Sequence, residues 1–421
     1  MVKIDKLTSG ARAMQKHGSG IAEREGSGAI AQLIQQYCPD GVEYVKLDEI
    51  GSFYSGLSGK SKEDFRDGNA KFITYVNIFN NPALNTDVED KVKIADGEKQ
   101  NTIQYGDLLF TGSSETPDEC GMCSVLTHHT DEKLYLNSFC FGFRFNDLSD
   151  KNPDFMKHLF RSSSIRKVIC KTANGVTRYN ISKKEFAKIE IPLPPLPVQE
   201  EIVRILDNFT NLAAELQAEL QARQQQYNYY RDTLLNVECR IKNVEWLPIP
   251  MFAELKAGKS IKSTELEEIK NDDHKYPCFG GNGIRGYIGK VSHSGEYAII
   301  GRQGALCGCV NWASGDFYAT EHAVVCSPLD NVISRFVYYL FATANLNQYK
   351  SQGAQPGLSV QRLNELVFPI PPLSEQQRIV SILDRFDTLT NNLSQGLPAE
   401  IEARQQQYEY YRDQLLTFKR M

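Results

Sequence analysis

After Pro197, apolar and aromatic side chains fall at Ile202, Ile205, Leu206, Phe209, Leu212, Leu216, Leu220, Tyr227, Tyr230 and Leu234. Spacings of three and four place them on one helical stripe, interrupted only near Arg223. The pattern predicts a helix over residues 198–235, 38 residues long, or about 57 Å at 1.5 Å per residue. A second stripe runs through Ile379, Ile382, Phe386, Leu389, Leu393, Ile401, Tyr408, Tyr411 and Leu415. Ser374-Glu-Gln-Gln377 offers it a capping box, and Gly396-Leu397-Pro398 should break or kink it. Elsewhere the pattern shortens. Residues 71–79 (KFITYVNIF), 106–110 (GDLLF), 297–301 (YAIIG) and 323–327 (AVVCS) read as strands between Gly-, Asn- and Ser-rich turns. Helical stretches are expected near 154–160 and 332–345.

The two stripes are copies of each other. Residues 202–212 (IVRILDNFTNL) and 379–389 (IVSILDRFDTL) share seven of eleven positions, 177 residues apart. Residues 222–235 (ARQQQYNYYRDTLL) and 403–416 (ARQQQYEYYRDQLL) share twelve of fourteen, 181 apart, so the second copy carries four extra residues between its blocks. Weaker echoes link residues 41–47 (GVEYVKL) with 243–249 (NVEWLPI), and 120–125 (CGMCSV) with 306–310 (LCGCV). A variable segment followed by a constant helical one is therefore written twice. Two long helices with one apolar stripe each need a partner surface, most simply each other as an antiparallel coiled coil, with independent helical subdomains as the alternative. The expected fold class is α+β: two mixed α/β globular domains alternating with two long helices, in an internal pseudo-twofold repeat.

Composition narrows this little: 421 residues, 41% hydrophobic and 24% charged, is ordinary globular usage. No run of about 18 apolar residues occurs; residues 332–346 are too short and contain Arg335. The first 20 residues have no apolar signal core, so a cytoplasmic location is expected, with the ten cysteines mostly as reduced thiols.

Enzymatic signatures fail on inspection. Residues 59–61 and 258–260 both read GKS, but a phosphate loop needs a glycine where Tyr54 and Ala253 stand. Residues 279–283 (FGGNG) fit a pattern of amino-methyltransferases that bind S-adenosylmethionine, without the N-P-P-[YF] loop those enzymes also need. A glycine-rich turn is the simpler reading. Cys120-x-x-Cys123 with His128 and His129, or Cys307-x-Cys309, could ligate a metal, yet neither has a second cysteine pair. No metal is expected and the chain reads as non-catalytic.

Charge is the more informative signal. The net charge is −5, yet residues 157–188 hold nine cations against one anion, Glu185. The matching stretch, 331–364, holds Arg335, Lys350 and Arg362 with no Asp or Glu. Both stretches contain a polar loop, residues 172–179 (TANGVTRY) and 351–357 (SQGAQPG). Cations hold phosphates, and Arg, Asn and Gln can read base edges; a solvated helix face is the plain alternative. The DNA-binding candidates are Lys60, Tyr75, Asn77, Ser113, Ser114, Arg161, Lys167, Lys171, Asn174, Arg178 and Tyr179 in the first copy. In the second they are Lys259, Asn282, Arg285, Arg302, Gln303, Gln355 and Arg362. Any one of these could equally serve turn or strand chemistry.

Residues 191–209 (IPLPPLPVQEEIVRILDNF) and 368–386 (FPIPPLSEQQRIVSILDRF) resemble the conserved regions of specificity subunits of type I restriction–modification systems. The shared motif is a P-x-P-P-L link followed by Q-x-x-I-V-x-I-L-D, twice, and the resemblance covers residues 40–416. It implies an N-terminal extension (1–39), a first target-recognition domain (40–190), a first conserved helical region (191–240), a second recognition domain (241–368) and a second helical region (369–421). It implies further that the chain has no active site or cofactor of its own. Each domain would read one half of a bipartite double-stranded DNA site, with the helices fixing the distance between halves. Two modification subunits would supply S-adenosylmethionine and adenine methylation; restriction subunits would bring ATP, Mg and nuclease activity. Residues 214–217 and 218–221 are a tandem AELQ unit, and one unit more or less changes a helix by about 6 Å. In the resembled family, variation at that place alters the spacer. A methyltransferase with its own recognition domains and a coiled-coil adaptor that binds no DNA are the competing readings.

Overall fold

The structure is a computed structural model and describes residues 30, 32–236, 244–304, 306–351, 356–391 and 396–421. The chain divides into two compact units: Met1–Glu215 with Glu402–Met421, and Leu216–Ile401.

Unit 1 contains strands β1 (Tyr44–Lys46), β2 (Gly51–Ser55), β3 (Ala70–Ile73), β4 (Lys91–Val92), β5 (Leu108–Thr111), β6 (Ser113–Ser114), β7 (Cys123–Val125), β8 (Tyr135–Leu136), β9 (Cys140–Phe145), β10 (Ala173–Asn174), β11 (Tyr179–Ile181) and β12 (Glu190–Pro192). Its helices are α1 (Leu47–Ile50), α2 (Tyr75–Asn80), α3 (Pro153–Leu159), α4 (Ser163–Cys170), α5 (Lys183–Phe186) and the first half of the 40-residue α6 (Leu196–Leu235). The central sheet has the order β2-β9-β5-β7, flanked by β4-β3-β8 and β10-β11-β6, with a separate β1-β12 ribbon. Phe141 and Phe143 of β9 and Leu108 and Phe110 of β5 face one core with α3 and α6; Cys140 and Leu109 face a second core with Ile73 and Ile78. β9 (CFGFRF) alternates: Phe141, Phe143 and Phe145 enter the first core, while Cys140, Gly142 and Arg144 take the other face, where Arg144 pairs with Asp107 at 2.6 Å. The strand expected over 71–79 ends at Ile73, because the Thr74 hydroxyl accepts from Asn77 N–H and caps α2. Ile30 and Cys38 sit in the first core, so residues just before 40 contribute to unit 1.

Unit 2 contains β13 (Glu245–Pro248), β14 (Ala253–Ala257), β15 (Tyr276–Gly280), β16 (Gly283–Ile288), β17 (His293–Gly301), β18 (Val310–Ala319), β19 (Ala323–Pro328), β20 (Val367–Ile370), α7 (Ser334–Thr343), α8 (Val360–Asn364) and α9 (Leu373–Asn391). Its main sheet has the order β14-β19-β17-β18-β15-β16, and β13 pairs with β20 as β1 pairs with β12. The second stripe forms α9 and then α10 (Leu397–Leu415), separate helices with Pro398 in the first turn of α10; Leu393 lies outside the described residues. α9 starts at Leu373, so Ser374 lies inside its first turn rather than capping it, and Pro372 O accepts from Glu375 and Gln376 N–H.

The repeated motif makes the same contacts in each unit. Gln199, fully buried, accepts from Asn152 N–H at 2.9 Å and donates to Asp150 O and Pro194 O at 2.8 and 2.7 Å. Gln376, 1% exposed, accepts from Ile333 N–H at 2.9 Å and donates to Asn331 O and Pro371 O at 3.2 and 2.9 Å. Asp207 receives His158 Nε2 of α3 at 2.7 Å; Asp384 receives the Tyr339 hydroxyl of α7 at 2.6 Å. In unit 1, Phe209 stacks on Tyr411 with centroids 5.2 Å apart, and in unit 2 Phe386 stacks on Tyr230 at 5.5 Å. Each core thus contains the start of one stripe and the end of the other: Ile202 and Leu206 with Tyr408 and Leu416, and Ile379 and Leu383 with Leu235.

The two locks differ in chemistry. In unit 1, His158 also bonds the Tyr408 hydroxyl through Nδ1 at 2.9 Å, and burial pushes its imidazole below the ordinary range despite the opposing Asp207 bond. Burial would raise the Asp207 carboxyl, but its bonds from His158 and Lys157 prevail and hold it low. The unfolded chain takes up a proton at His158 near pH 6.5 while the folded unit resists it. The lock is therefore fully present above about pH 6.5 and is lost as pH falls through the lower folded value. Tyr339 of unit 2, raised by burial and by its bond to Asp384, does not titrate in that window. Urea unfolding at pH 7.5 and 5.5 should show unit 1 losing stability at the lower pH, and His158→Gln should shrink that loss.

Candidate nucleic-acid interface

In unit 1 the polar loop is a β10–β11 hairpin whose turn needs Gly175: its φ is +150°, and a Cβ there would meet Arg178 O at 2.0 Å. Val176 at the tip is 89% exposed. β11 pairs with β6, setting Tyr179 opposite Ser114 and Asn180 opposite Ser113. Arg178 donates to Ser113 Oγ from Nε and Nη2 at 3.2 and 2.9 Å and lies over the exposed Phe139 ring at 5.7 Å. The Tyr75 hydroxyl donates to Ser113 O at 2.8 Å, and the Ser114 hydroxyl bonds Glu119 at 3.2 Å. Lys183 donates to Ser55 Oγ at 3.3 Å. Ser55, Ser113, Phe139, Arg178, Asn180 and Lys183 line an open cleft of about 410 Å³. The structure therefore brings Tyr75, Ser113, Ser114, Arg178 and Tyr179 together, with exposed Asn174 on the same hairpin.

The dense cation run separates into two groups. Arg161, pushed down to about 10 by burial, donates to Cys123 O, Ile78 O and Phe79 O at 2.7, 2.8 and 3.0 Å. Arg166 donates to Gly121 O, Asp118 O and Cys120 O. Lys157 pairs with Asp154 and Asp207, and Lys188 with Glu185. Lys167, Lys171, Arg178, Lys183 and Lys184 are left exposed. Two further candidates are engaged inside the unit. Lys60 bonds Glu98 and Lys93 O, both at 2.6 Å, and its bond is the chief cause that holds the Glu98 carboxyl near 2. Asn77 is buried and bridges to Asn85.

In unit 2 four turns converge. Lys259 N–H donates to Ala319 O, Thr320 N–H to Phe279 O and Arg302 N–H to His322 O, at 3.1, 2.9 and 2.9 Å. The backbones at 281 and 301 approach so closely that a Cβ on Gly301 would lie 1.8 Å from Gly281 O; within FGGNG, a Cβ on Gly281 would lie 2.8 Å from Gln303 O, and Gly283 has a φ of +86°. Arg285 of β16 lies across Gly280, where a Cβ would come within 2.4 Å of its Cδ. Asn282 Oδ1 accepts from the Cys309 thiol at 3.4 Å. Gln303 bridges to Gly357, and Leu358 N–H donates to Arg302 O at 2.8 Å, so residues 357–358 run alongside the Arg302 turn. Lys259, Asn282, Arg285, Arg302 and Gln303 thus gather at one end of the sheet. Arg362 is exposed on α8, whose cap is Ser359; Gln355 lies outside the described residues.

Sequence reasoning missed Phe139 and Asn180 in the first cleft and Glu321 and His322 in the second cluster. Only an aromatic beside Asn137-Ser138 hinted at an exposed ring, and the Thr-Glu-His turn carries no local signal. The described cysteines are free thiols, and burial raises Cys123 to about 12. Among the described residues no group of three or more His, Cys, Asp or Glu could hold a metal, and no helix is long and apolar enough to cross a membrane.

Each of the two sheet units of this α+β chain carries a cluster of polar and cationic turns, and each core contains the start of one repeated helix stripe and the end of the other. The chain belongs to the family of type I restriction–modification DNA specificity domains, whose model matches residues 39–223 and 244–403. It is 46% identical over 221 residues to the type I restriction enzyme EcoprrI specificity subunit of Escherichia coli, covering 50% of this chain and 55% of that one. It is 36% identical over 266 residues to the EcoR124I/EcoR124II specificity subunit of the same species, covering 56% and 65%. These alignments therefore span between half and two thirds of those relatives. The fold is similar to the crystal structure of a type I restriction–modification S subunit from M. genitalium, with a TM-score of 0.55, 15% identity and coverage of 90% of this chain and 97% of that one. It is also similar to a chain solved in a study of complex assembly and conformational transition of the type I R-M system (TM-score 0.56, 18% identity, 90% and 98% coverage).

The sorting of cations can be checked in urea unfolding. Arg161→Ala and Arg166→Ala, which strand buried carbonyls, should each cost about 2–3 kcal/mol. Lys171→Ala and Lys184→Ala should stay within about 0.5 kcal/mol.

Proposed function

We propose that the chain is the DNA sequence-specificity subunit of a type I restriction–modification complex, non-catalytic and cytoplasmic, recognising a bipartite, asymmetric double-stranded site. The observation that carries this reading is the repetition of one helix-to-domain attachment, at Gln199 and Asp207 and again at Gln376 and Asp384, beneath two unlike polar clusters. Equal attachments present two heads alike, and unlike heads read unlike half-sites. Family membership and the similarity to specificity subunits support it.

In this reading residues 40–190 and 241–368 are the target-recognition domains, and 191–240 and 369–421 the helical regions, following residues 1–39. The helices form an antiparallel coiled coil related by a pseudo-twofold axis. Supporting it, the early residue Phe209 of one stripe meets the late residue Tyr411 of the other, and Phe386 meets Tyr230. S-adenosylmethionine, ATP and Mg are held by partner subunits, and this chain needs no cofactor. Two modification subunits dock on the helices. The exposed helix faces support this: Ala222, Gln225 and Tyr229 recur as Ala403, Gln406 and Tyr410, all exposed. Exposed positions diverge more freely than buried ones, and identity on both faces fits two copies of one partner.

N6-methyladenine sequencing of DNA exposed to the assembled complex tests the reading. Deleting residues 218–221 should shorten the spacer and leave both half-sequences intact; an unchanged spacer counts against the ruler. Tyr229 is 64% and Tyr410 61% exposed. Alanine at either should weaken binding of one modification subunit about tenfold or more, visible as loss of one copy in native mass spectrometry.

A further inference from the structure

The cluster in unit 2 holds a carboxylate among its cations. The 320–322 turn between β18 and β19 lies against the Arg302 turn through the Arg302 N–H to His322 O bond of 2.9 Å. Five buried side-chain polar atoms among the described residues have no hydrogen-bond partner, and three of them are here: Arg302 Nε, Glu321 Oε2 and His322 Nδ1. Burying such atoms unpaired is costly, and the same side chains still reach the surface: Arg302 is half-buried, His322 is 33% exposed and Glu321 41% exposed. The other Glu321 oxygen stands 3.4 Å from His322 Nε2. Thr320 N–H donates to Phe279 O at 2.9 Å, and Arg285 lies across the next residue, Gly280, so this turn and that cation meet the same stretch of β15.

A surface that met only phosphates would gain nothing from a carboxylate, since anion repels anion. An acceptor held beside a donor suits an edge that presents both. In the major groove a G·C pair presents two acceptors, guanine N7 and O6, and one donor, the cytosine N4 amino group. Arg302 brings guanidinium donors and Glu321 a carboxylate acceptor. We propose that unit 2 reads one G·C pair of its half-site, Arg302 on guanine and Glu321 on the cytosine amino group. This rests on the DNA-reading function above and adds the base pair and the residues that choose it.

The test uses the full chain assembled with its modification subunits and a randomised duplex library, scored by sequencing the bound and methylated DNA. The wild type should require G·C at one position of one half-site. Glu321→Gln, which replaces one acceptor oxygen by a donor at nearly constant shape, should relax that position about tenfold. Arg302→Ala should relax the same position. The other half-site, read by the same molecules, should keep its sequence and so reports on folding. The proposal is overturned if Glu321→Gln leaves the profile unchanged, if the altered position is A·T, or if both half-sites weaken together. A wild-type complex that selects no bipartite sequence overturns the function itself, and is told apart by failing before any substitution is made.

Discussion

Each unit hangs on one buried side-chain amide. The first turn of a helix leaves main-chain N–H groups without partners, and a strand–loop–helix junction leaves carbonyls in the same state. Gln199 and Gln376 satisfy such groups from inside the core, each giving two donors and one acceptor in contacts of 2.7–3.2 Å. With no water to replace it, a buried amide in this position fixes both the start of the helix and the angle at which the domain leaves it. Ile202 and Leu206, or Ile379 and Leu383, are then delivered into the core. The aspartate about two turns after each glutamine closes the lock against α3 or α7.

Much of this was legible in the sequence because it is periodic and duplicated. The stripes gave the helices, and the PxPPL-to-ILD repeat marked where each joins its domain. The strands at 106–110, 297–301 and 323–327 were visible as short apolar runs and are found in β5, β17 and β19. Local pattern failed where a single hydrogen bond decides: Thr74 turns a run that reads as strand into a helix. It failed again for the cations. Arg161 and Lys171 look alike in a basic run, but one is half-buried and bonded to three carbonyls and the other is exposed. Nor can spacing show that the turns at 259, 282, 302 and 322 gather, since that follows from the order and direction of strands in a six-stranded sheet.

Charge shows the same limit of local reading. A run of nine cations suggests a uniformly positive face, whereas Lys157, Arg161 and Arg166 brace the fold, Lys188 is exposed but paired with Glu185, and the other five are exposed. In a protein of net charge −5 such a face is local and weak at a distance, since screening sets in within about 10 Å. Contact chemistry therefore governs where the molecule binds, and the shape of the hairpin and turns matters more than total charge.

On the domain side, each glutamine clamp touches only main chain: Asn152 N–H and Asp150 O, or Ile333 N–H and Asn331 O. A backbone bracket is indifferent to side chains. Asn152 and Ile333 have nothing chemically in common, yet occupy the same socket. The side chains of either unit can therefore change throughout while the bonds that mount it on its helix stay as they are, because those bonds read only main-chain groups.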